Sequence, residues 1–367
     1  MKKVLFIGST DYNLNIENAT LHKKFTNLSQ DMEVYVLARG QEAFVKKYNC
    51  EFYFTPKIFL PIWYLMVFFK ALNLIYKKNI DTIISQSPAL DGFTSALLKT
   101  ITKRELIIEV HGDWVNSLFF YYQIPFAKIV KNILIFCGKF SLARADKIRV
   151  ISGFTERLVK QYVKIERKIY QFPTFSDIDI FLNEIGTSYE KKIVFVGVLY
   201  RLKGVHFLIE AFSRLQNKFP DWELLIIGDG PYRQELDKLI DNLKVKNVIF
   251  TGRLDAGMVK EKIKNSSILV LPSLSEGLGR VLIEAALLRK ALVGSNVDGI
   301  PDIIHDGENG FLFKSGDVAD LQDKLERLVK DENLIKVMGE KGRKIMEMTY
   351  STAKYFAAYR DMVNEKI

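Results

Sequence analysis

The stretch "ILVLPSLSEGLGRVLIEA", residues 268–285, decides how the chain is read. Its apolar opening, residues 268–272, has the length and composition of a buried strand. A loop with Gly277 and Gly279 follows, and a helix begins near Arg280. A strand that runs through a glycine loop into a helix turns backbone N–H groups toward one point and attracts an anion there. The segment also places Glu276 and Glu284 eight positions apart with Arg280 between them.

Working outward, the same alternation fills the second half. Residues 193–196, 223–227, 248–250 and 291–294 read as further strands, separated by helical patterns at 205–217, 232–243, 258–265 and 280–288. The first half repeats the theme, with strands at 4–7, 34–37, 82–84, 106–110 and 147–151 and helices at 18–28, 63–77 and 92–100. Strands that alternate with helices predict parallel sheets covered on both faces. A polar spacer at 183–188 divides the two series. The expectation is two Rossmann-like, doubly wound domains, 1–185 and 186–350, with a last helix in 351–367 that packs back on the first. Ligands of such sheets bind beyond the carboxyl ends of the strands, so a cleft between the domains is the expected site.

With 367 residues, 48% hydrophobic and 26% charged, the chain has ordinary globular composition and room for two domains. Cys50 and Cys137 stand far apart with no Cys/His cluster, which fits a reduced cytoplasmic setting and no zinc. The apolar run after Met1 is too short for a signal peptide and reads as a first strand ending at Gly8. Residues 58–76 carry only Lys70 as a charge, but Pro61 leaves too short a run to span a bilayer. Of the formal charge of +10, about +8 falls in residues 1–185. That asymmetry points to lysine-rich composition or to an anionic surface as partner of the first half.

Four glycine-bearing turns follow strands of the second half: Gly197 to Gly204, Gly228 to Pro231, Thr251 to Arg253, and the opening segment. Arg201, Lys203, Arg253 and Arg280 lie among them, which suits a polyanion such as a diphosphate. The two glutamates cannot serve that anion. They suit vicinal hydroxyls on either side of it, as in a sugar and a ribose. The plainer alternative for Glu284 is a carboxylate that favours the start of a helix.

These residues resemble the family 4 glycosyltransferases of GT-B fold. The family's Glu, seven residues, Glu pattern reads here as Glu276 through Glu284, preceded by Leu271-Pro272-Ser273. Gly197 with Lys203-Gly204, Gly228-Asp229-Gly230, Gly299-Ile300-Pro301, Asn309-Gly310-Phe311 and Gly316-Asp317 follow in family order. The resemblance implies retaining, metal-independent transfer of a sugar from a nucleotide-diphosphate sugar, with no separate cofactor and UDP expected ahead of GDP. It assigns Glu284 to the donor ribose, Glu276 to the sugar hydroxyls and Lys203 to the leaving diphosphate. Backbone near Leu278 and Gly279 would meet the sugar or phosphate. Val198 stands where the family often has arginine, so Arg201 is expected to reach the diphosphate instead.

In the first half, Glu109-Val110-His111-Gly112-Asp113-Trp114 ends a predicted strand, and the family has a histidine at a comparable place. His111 is expected to orient the donor sugar or the acceptor hydroxyl, with Asp113 as its substitute. Asp177-Ile178-Asp179 looks like an Asp-x-Asp metal motif, but the run 173–181 matches the family's linker. Segment 8–13 replaces the family's glycine-pair loop.

Segments 63–78 and 117–147 mix aromatic residues with lysines. Helices of that kind lie in a membrane interface or pack on the sheet. The expected acceptor is a lipid-linked or polysaccharide glycan; the first placement would make the cytoplasmic protein peripheral at the inner face of the cell membrane and favour the lipid-linked form. The rival readings are a nucleotide-sugar epimerase or phosphorylase of the same architecture, and a non-catalytic protein that binds membrane or nucleic acid. No nucleic-acid module is recognisable, so nucleic acid is not an expected partner. A Rossmann dehydrogenase is disfavoured because no G-x-G-x-x-G follows the first strand.

Overall fold

The computed structural model describes residues 1–12, 14, 19–121, 124–164, 168–184 and 188–365. The expected junction at 185/186, and Asn13 and Asn18 at the ends of two expected segments, lie outside the described residues. The chain divides into two compact units, Met1–Asp177 with Thr352–Ile367, and Ile178–Ser351.

The first unit runs β1 (Lys2–Asp11), α1 (Ala19–Asp31), β2 (Met32–Arg39), β3 (Phe44–Lys47), β4 (Cys50–Thr55), α2 (Leu60–Lys78), β5 (Thr82–Ser85), α3 (Leu90–Thr102), β6 (Glu105–Val110), α4 (Ser117–Tyr121), α5 (Ala127–Arg144), β7 (Lys147–Val150), α6 (Gly153–Tyr162) and β8 (Ile169–Gln171). The eight strands lie in the order β3-β4-β2-β1-β5-β6-β7-β8, parallel except for β3 against β4. The two-residue period of β1 explains why helices cover both faces. Leu5 and Ile7 point into a core with Trp63, Val67 and Ala71 of α2. Val4 and Phe6 point the other way, toward Phe25 and Leu28 of α1. Each such buried side chain contributes about 1.5–3 kcal/mol. Two boundaries differ from expectation. The first strand continues through Gly8 to Asp11, with a register shift against β2 after Ile7. Pro61 sits in the first turn of α2, where its missing N–H costs nothing, so it starts that helix and does not interrupt it.

The second unit runs α7 (Asp179–Leu182), β9 (Lys192–Val196), α8 (Val205–Leu215), β10 (Glu223–Ile227), α9 (Arg233–Leu243), β11 (Val248–Gly252), α10 (Ala256–Lys264), β12 (Ile268–Leu271), α11 (Arg280–Leu287), β13 (Ala291–Ser295), β14 (Gly310–Phe313), α12 (Val318–Val329) and α13 (Glu332–Thr349). Its all-parallel sheet has the order β11-β10-β9-β12-β13-β14. The chain builds outward from β9 in one direction, then returns to lay β12 on the other side. The gap beyond β9 and β12 is thus the topological switch point, where ligands of open parallel sheets bind. The last helix, α14 (Thr352–Asn364), belongs to the first unit, where Tyr355, Tyr359 and Met362 share a core with Phe6.

Candidate active site

The loops after β9 and β12 meet at this switch point. Leu274 N–H donates to Leu202 O at 2.7 Å and stitches them together. Gly204 has φ +66°, and a Cβ there would stand 1.9 Å from Pro272 O, so no larger residue fits the closure. The result brings Lys203 Nζ within 2.6 Å of Glu276 Oε2, both partly buried. The turn after β13 joins them. Asp298 accepts from Glu276 N–H at 3.0 Å, and Gly299 N–H donates to Glu276 O at 3.0 Å. Asp298 is absent from the sequence reading, and its only signal is its place beside Gly299-Ile300-Pro301.

Gly279, with φ +80°, opens α11, and Leu278 is buried just before it. Glu284 lies in the second turn of α11, 8% exposed, and Arg280 Nε reaches its Oε1 at 3.1 Å. Glu284 is therefore held inside the protein, whereas Arg280 is exposed. The turns after β9, β10 and β11 lie backbone on backbone. A Cβ on Gly228 would be 1.9 Å from Gly197 O, and Gly228 N–H donates to Gly252 O at 2.9 Å. Arg201 begins the 3-10 turn Arg201–Lys203 and is exposed. Burial, then the Arg201 charge, push the neighbouring His206 ring down to about 4. Arg253 is exposed after β11, at the sheet edge two strands from β9.

His111 belongs to the first unit and follows β6. Its Nε2 is 3.1 Å from Glu109 Oε2 and its Nδ1 is 3.4 Å from Thr174 Oγ1. Glu109 is only 2% exposed. Arg149 Nη1 and Tyr359 Oη both donate to its Oε1 at 2.7 Å. Burial alone would raise this carboxyl. The Arg149 charge and the His111 contact outweigh it and hold Glu109 well below the usual carboxylate range. Sequence reading passed over Glu109, Arg149 and Tyr359 as functional residues. A charged residue inside each of two short apolar strands was the available signal. Asp113 is occupied locally, accepting from Val115 N–H at 3.0 Å, Asn116 N–H at 2.9 Å and Asn116 Nδ2 at 2.6 Å. Asp177 pairs with Lys23 at 2.5 Å, and Asp179 begins α7. Among the described residues no group of His, Cys, Asp or Glu is placed to hold a metal ion.

Two helices of the first unit leave apolar faces outward. Ile62, Leu65 and Phe69 of α2 and Ile129, Ile133 and Phe136 of α5 are 49–60% exposed. Neither helix contains an acidic residue, while Lys77, Lys128, Lys131 and Lys139 are exposed. Among the described residues, no helix is long and apolar enough to cross a membrane.

The family model described as Glycosyl transferases group 1 matches residues 180–345, and that described as Glycosyltransferase Family 4 matches residues 21–180. An uncharacterized glycosyltransferase of Methanocaldococcus jannaschii is 27% identical over 334 residues, 89% of each chain. The capsular polysaccharide biosynthesis glycosyltransferase CapM of Staphylococcus aureus is 25% identical over 312 residues, 79% of this chain and 78% of CapM. Among solved structures, HepE of Anabaena in complex with UDP-glucose superposes with a TM-score of 0.75 at 16% identity over 99% of both chains, which shows a shared fold.

Proposed function

The chain belongs to the family 4 glycosyltransferases of GT-B fold, and from that premise we propose that it transfers a sugar, with retention and without a metal, from a UDP-sugar to a lipid-linked or polysaccharide acceptor. The observation that carries this reading is the Lys203–Glu276 pair at the β9/β12 switch point, with buried Glu284 on the helix that follows. Lys203 would neutralise the diphosphate, with Arg201, Arg253 and Arg280 as exposed cations of the same unit. Glu276 would accept from the sugar hydroxyls and Glu284 from the ribose.

In the transfer, the bond from the anomeric carbon to the diphosphate oxygen breaks and its electron pair leaves with the diphosphate. The acceptor oxygen bonds to the same face of that carbon, and its proton passes to the leaving phosphate oxygen. Negative charge grows on the diphosphate as this happens, so fixed cations stabilise the transition state more than the ground state. His111, on the first unit, would orient the sugar or the acceptor hydroxyl.

HepE, whose structure contains UDP-glucose, supports the choice of UDP, and CapM supports a polysaccharide or its lipid-linked precursor. The outward faces of α2 and α5 favour the lipid-linked form, since apolar side chains among lysines suit the surface of an anionic bilayer at the inner face of the cell membrane. Calorimetry with UDP, GDP and ADP tests the donor. UDP should bind most tightly, and no binding by any of them would overturn the nucleotide-sugar reading. Flotation with vesicles tests the surface. The protein should rise with phosphatidylglycerol vesicles and not with phosphatidylcholine alone, and Phe69→Asp with Phe136→Asp should abolish the difference.

A further inference from the structure

The buried cluster behind His111 carries a further step, which rests on the reading of His111 as a site residue. We propose that Glu109 fixes the neutral His111 ring with its proton on Nε2, so that Nδ1 is the nitrogen that accepts from a substrate hydroxyl, and that Arg149 and Tyr359 are positioning residues that hold Glu109 to this task.

The argument begins at the carboxylate. Glu109 Oε1 already accepts from Arg149 Nη1 and Tyr359 Oη, each at 2.7 Å, which leaves Oε2 to face His111 Nε2 at 3.1 Å. Arg149 is a permanent cation, so the carboxyl beside it is ionised and can only accept. The ring nitrogen that meets it must therefore donate. A neutral imidazole has one donor and one acceptor, so Nδ1 is left as the acceptor. Its neighbour is the Thr174 hydroxyl at 3.4 Å, a rotor that can turn toward it or away.

The cluster is buried. Arg149 is 1% exposed, lies over the Phe172 ring at 4.2 Å and donates to Pro173 O. Tyr359, on α14, is also 1% exposed. The His111 side chain, in contrast, is 34% exposed. A buried ion pair adds little net stability over apolar packing. Its place directly behind a partly open imidazole is the arrangement by which a carboxylate sets the tautomer and aim of a working histidine.

Nitrogen-15 histidine spectra at pH 8, assigned with His111→Ala, read the tautomer directly. The wild type should show Nε2 protonated and Nδ1 bare. Glu109→Gln should give a mixture of tautomers and lower kcat on the order of 10- to 100-fold, with the donor KM within about twofold. Tyr359→Phe, the gentler change, should keep the tautomer and lower kcat less. A wild-type ring protonated on Nδ1 would overturn the proposal. So would a folded Glu109→Gln enzyme with unchanged kcat when His111→Ala is impaired. If His111→Ala itself turns over like the wild type, the parent reading of His111 fails and the substrate role of Nδ1 fails with it. The spectrum then still shows whether Glu109 sets the ring.

Discussion

The two units share a six-strand core order, β4-β2-β1-β5-β6-β7 and β11-β10-β9-β12-β13-β14, and each has a switch point, yet the two are filled differently. In the second unit, beyond β9 and β12, glycines bring backbone onto backbone, and Lys203 pairs with Glu276 beside Asp298. In the first unit, beyond β1 and β5, side chains fill the place. A Cβ on Gly8 would stand 2.1 Å from Gln86 Oε1, the atom that accepts from Thr10 Oγ1 at 3.2 Å. Asp91 lies behind, 4% exposed, accepting from Tyr64 Oη at 3.0 Å and Ser9 Oγ at 3.3 Å. Burial raises that carboxyl, and these hydrogen bonds oppose the rise only in part. One end therefore offers a lysine and close-packed peptide groups, the other a network of hydroxyl, amide and carboxyl groups. The first chemistry suits a diphosphate, and the second does not.

If that contrast is functional, the largest effect should come from the charged pair. Lys203→Ala should lower kcat on the order of 10²–10³-fold, as loss of a fixed stabiliser of transition-state charge does. Asp91→Asn in the first unit should change it far less. Initial rates at saturating donor test both, and equal losses would break the comparison. Next comes Glu284→Ala, which removes the buried carboxylate proposed to accept from the ribose. Hydrogen bonds to charged groups contribute about 1.5–3 kcal/mol, so nucleotide affinity should fall about 10- to 100-fold by calorimetry. An unchanged Kd would remove Glu284 from the donor site.

Smaller effects should follow the glycines. Gly228 has φ +132°, and its Cβ would meet the backbone at 1.9 Å. Gly228→Ala should cost about 1–3 kcal/mol or more, because no side chain can move aside. Gly8→Ala meets the end of a flexible glutamine, and a loss within about 1 kcal/mol is expected. Thermal melts rank the two. A larger loss at Gly8 would mean that the first unit's switch point is the stiffer one.

Much of this arrangement was legible in the sequence, for reasons that also explain the rest. Strands β9 to β13 are short apolar runs, and Lys203 and Glu276 lie in the loops that follow two of them. Once the strand order puts β12 beside β9, Lys203 and Glu276 meet although they are 73 residues apart. The strands β3 and β4 were missed because Lys46, Lys47 and Glu51 break the apolar run of an edge hairpin. Helix α12 was missed despite Leu321, Leu325 and Leu328 at helical spacing and an Asp317 cap, since its remaining residues are mostly polar. In the Glu109–Arg149–Tyr359 cluster, Arg149 is the register partner of Glu109 on the paired strands β6 and β7 although 40 positions away, and Tyr359 reaches Glu109 through side chains from 250 positions away. Nothing in local spacing reports such a contact. Only the cost of a charge inside a buried strand hints that a partner exists.

A further contrast between the two units is acid sensitivity at His206 and at Glu109. His206, in the second unit, titrates near 6.5 when unfolded and is pushed down to about 4 by burial and by Arg201. The unfolded chain takes up that proton first. Its contribution to stability is thus complete above pH 6.5 and is lost as pH falls toward 4. Glu109, in the first unit, is depressed from 4.5 against the opposing effect of its burial, chiefly by Arg149. Its contribution is complete above about pH 4.5 and fades only below that. Melting temperatures between pH 8 and pH 3 should therefore fall in two windows. His206→Phe should shrink the upper one and leave the lower, while Glu109→Gln should shrink the lower one, to which Glu105 and Glu184 are also held low enough to contribute, and leave the upper. A wild-type profile that is level from pH 6.5 to 4 would mean that His206 is as easily protonated folded as unfolded. The loop that carries Lys203 would then be more open to water than its packing against Pro272 implies.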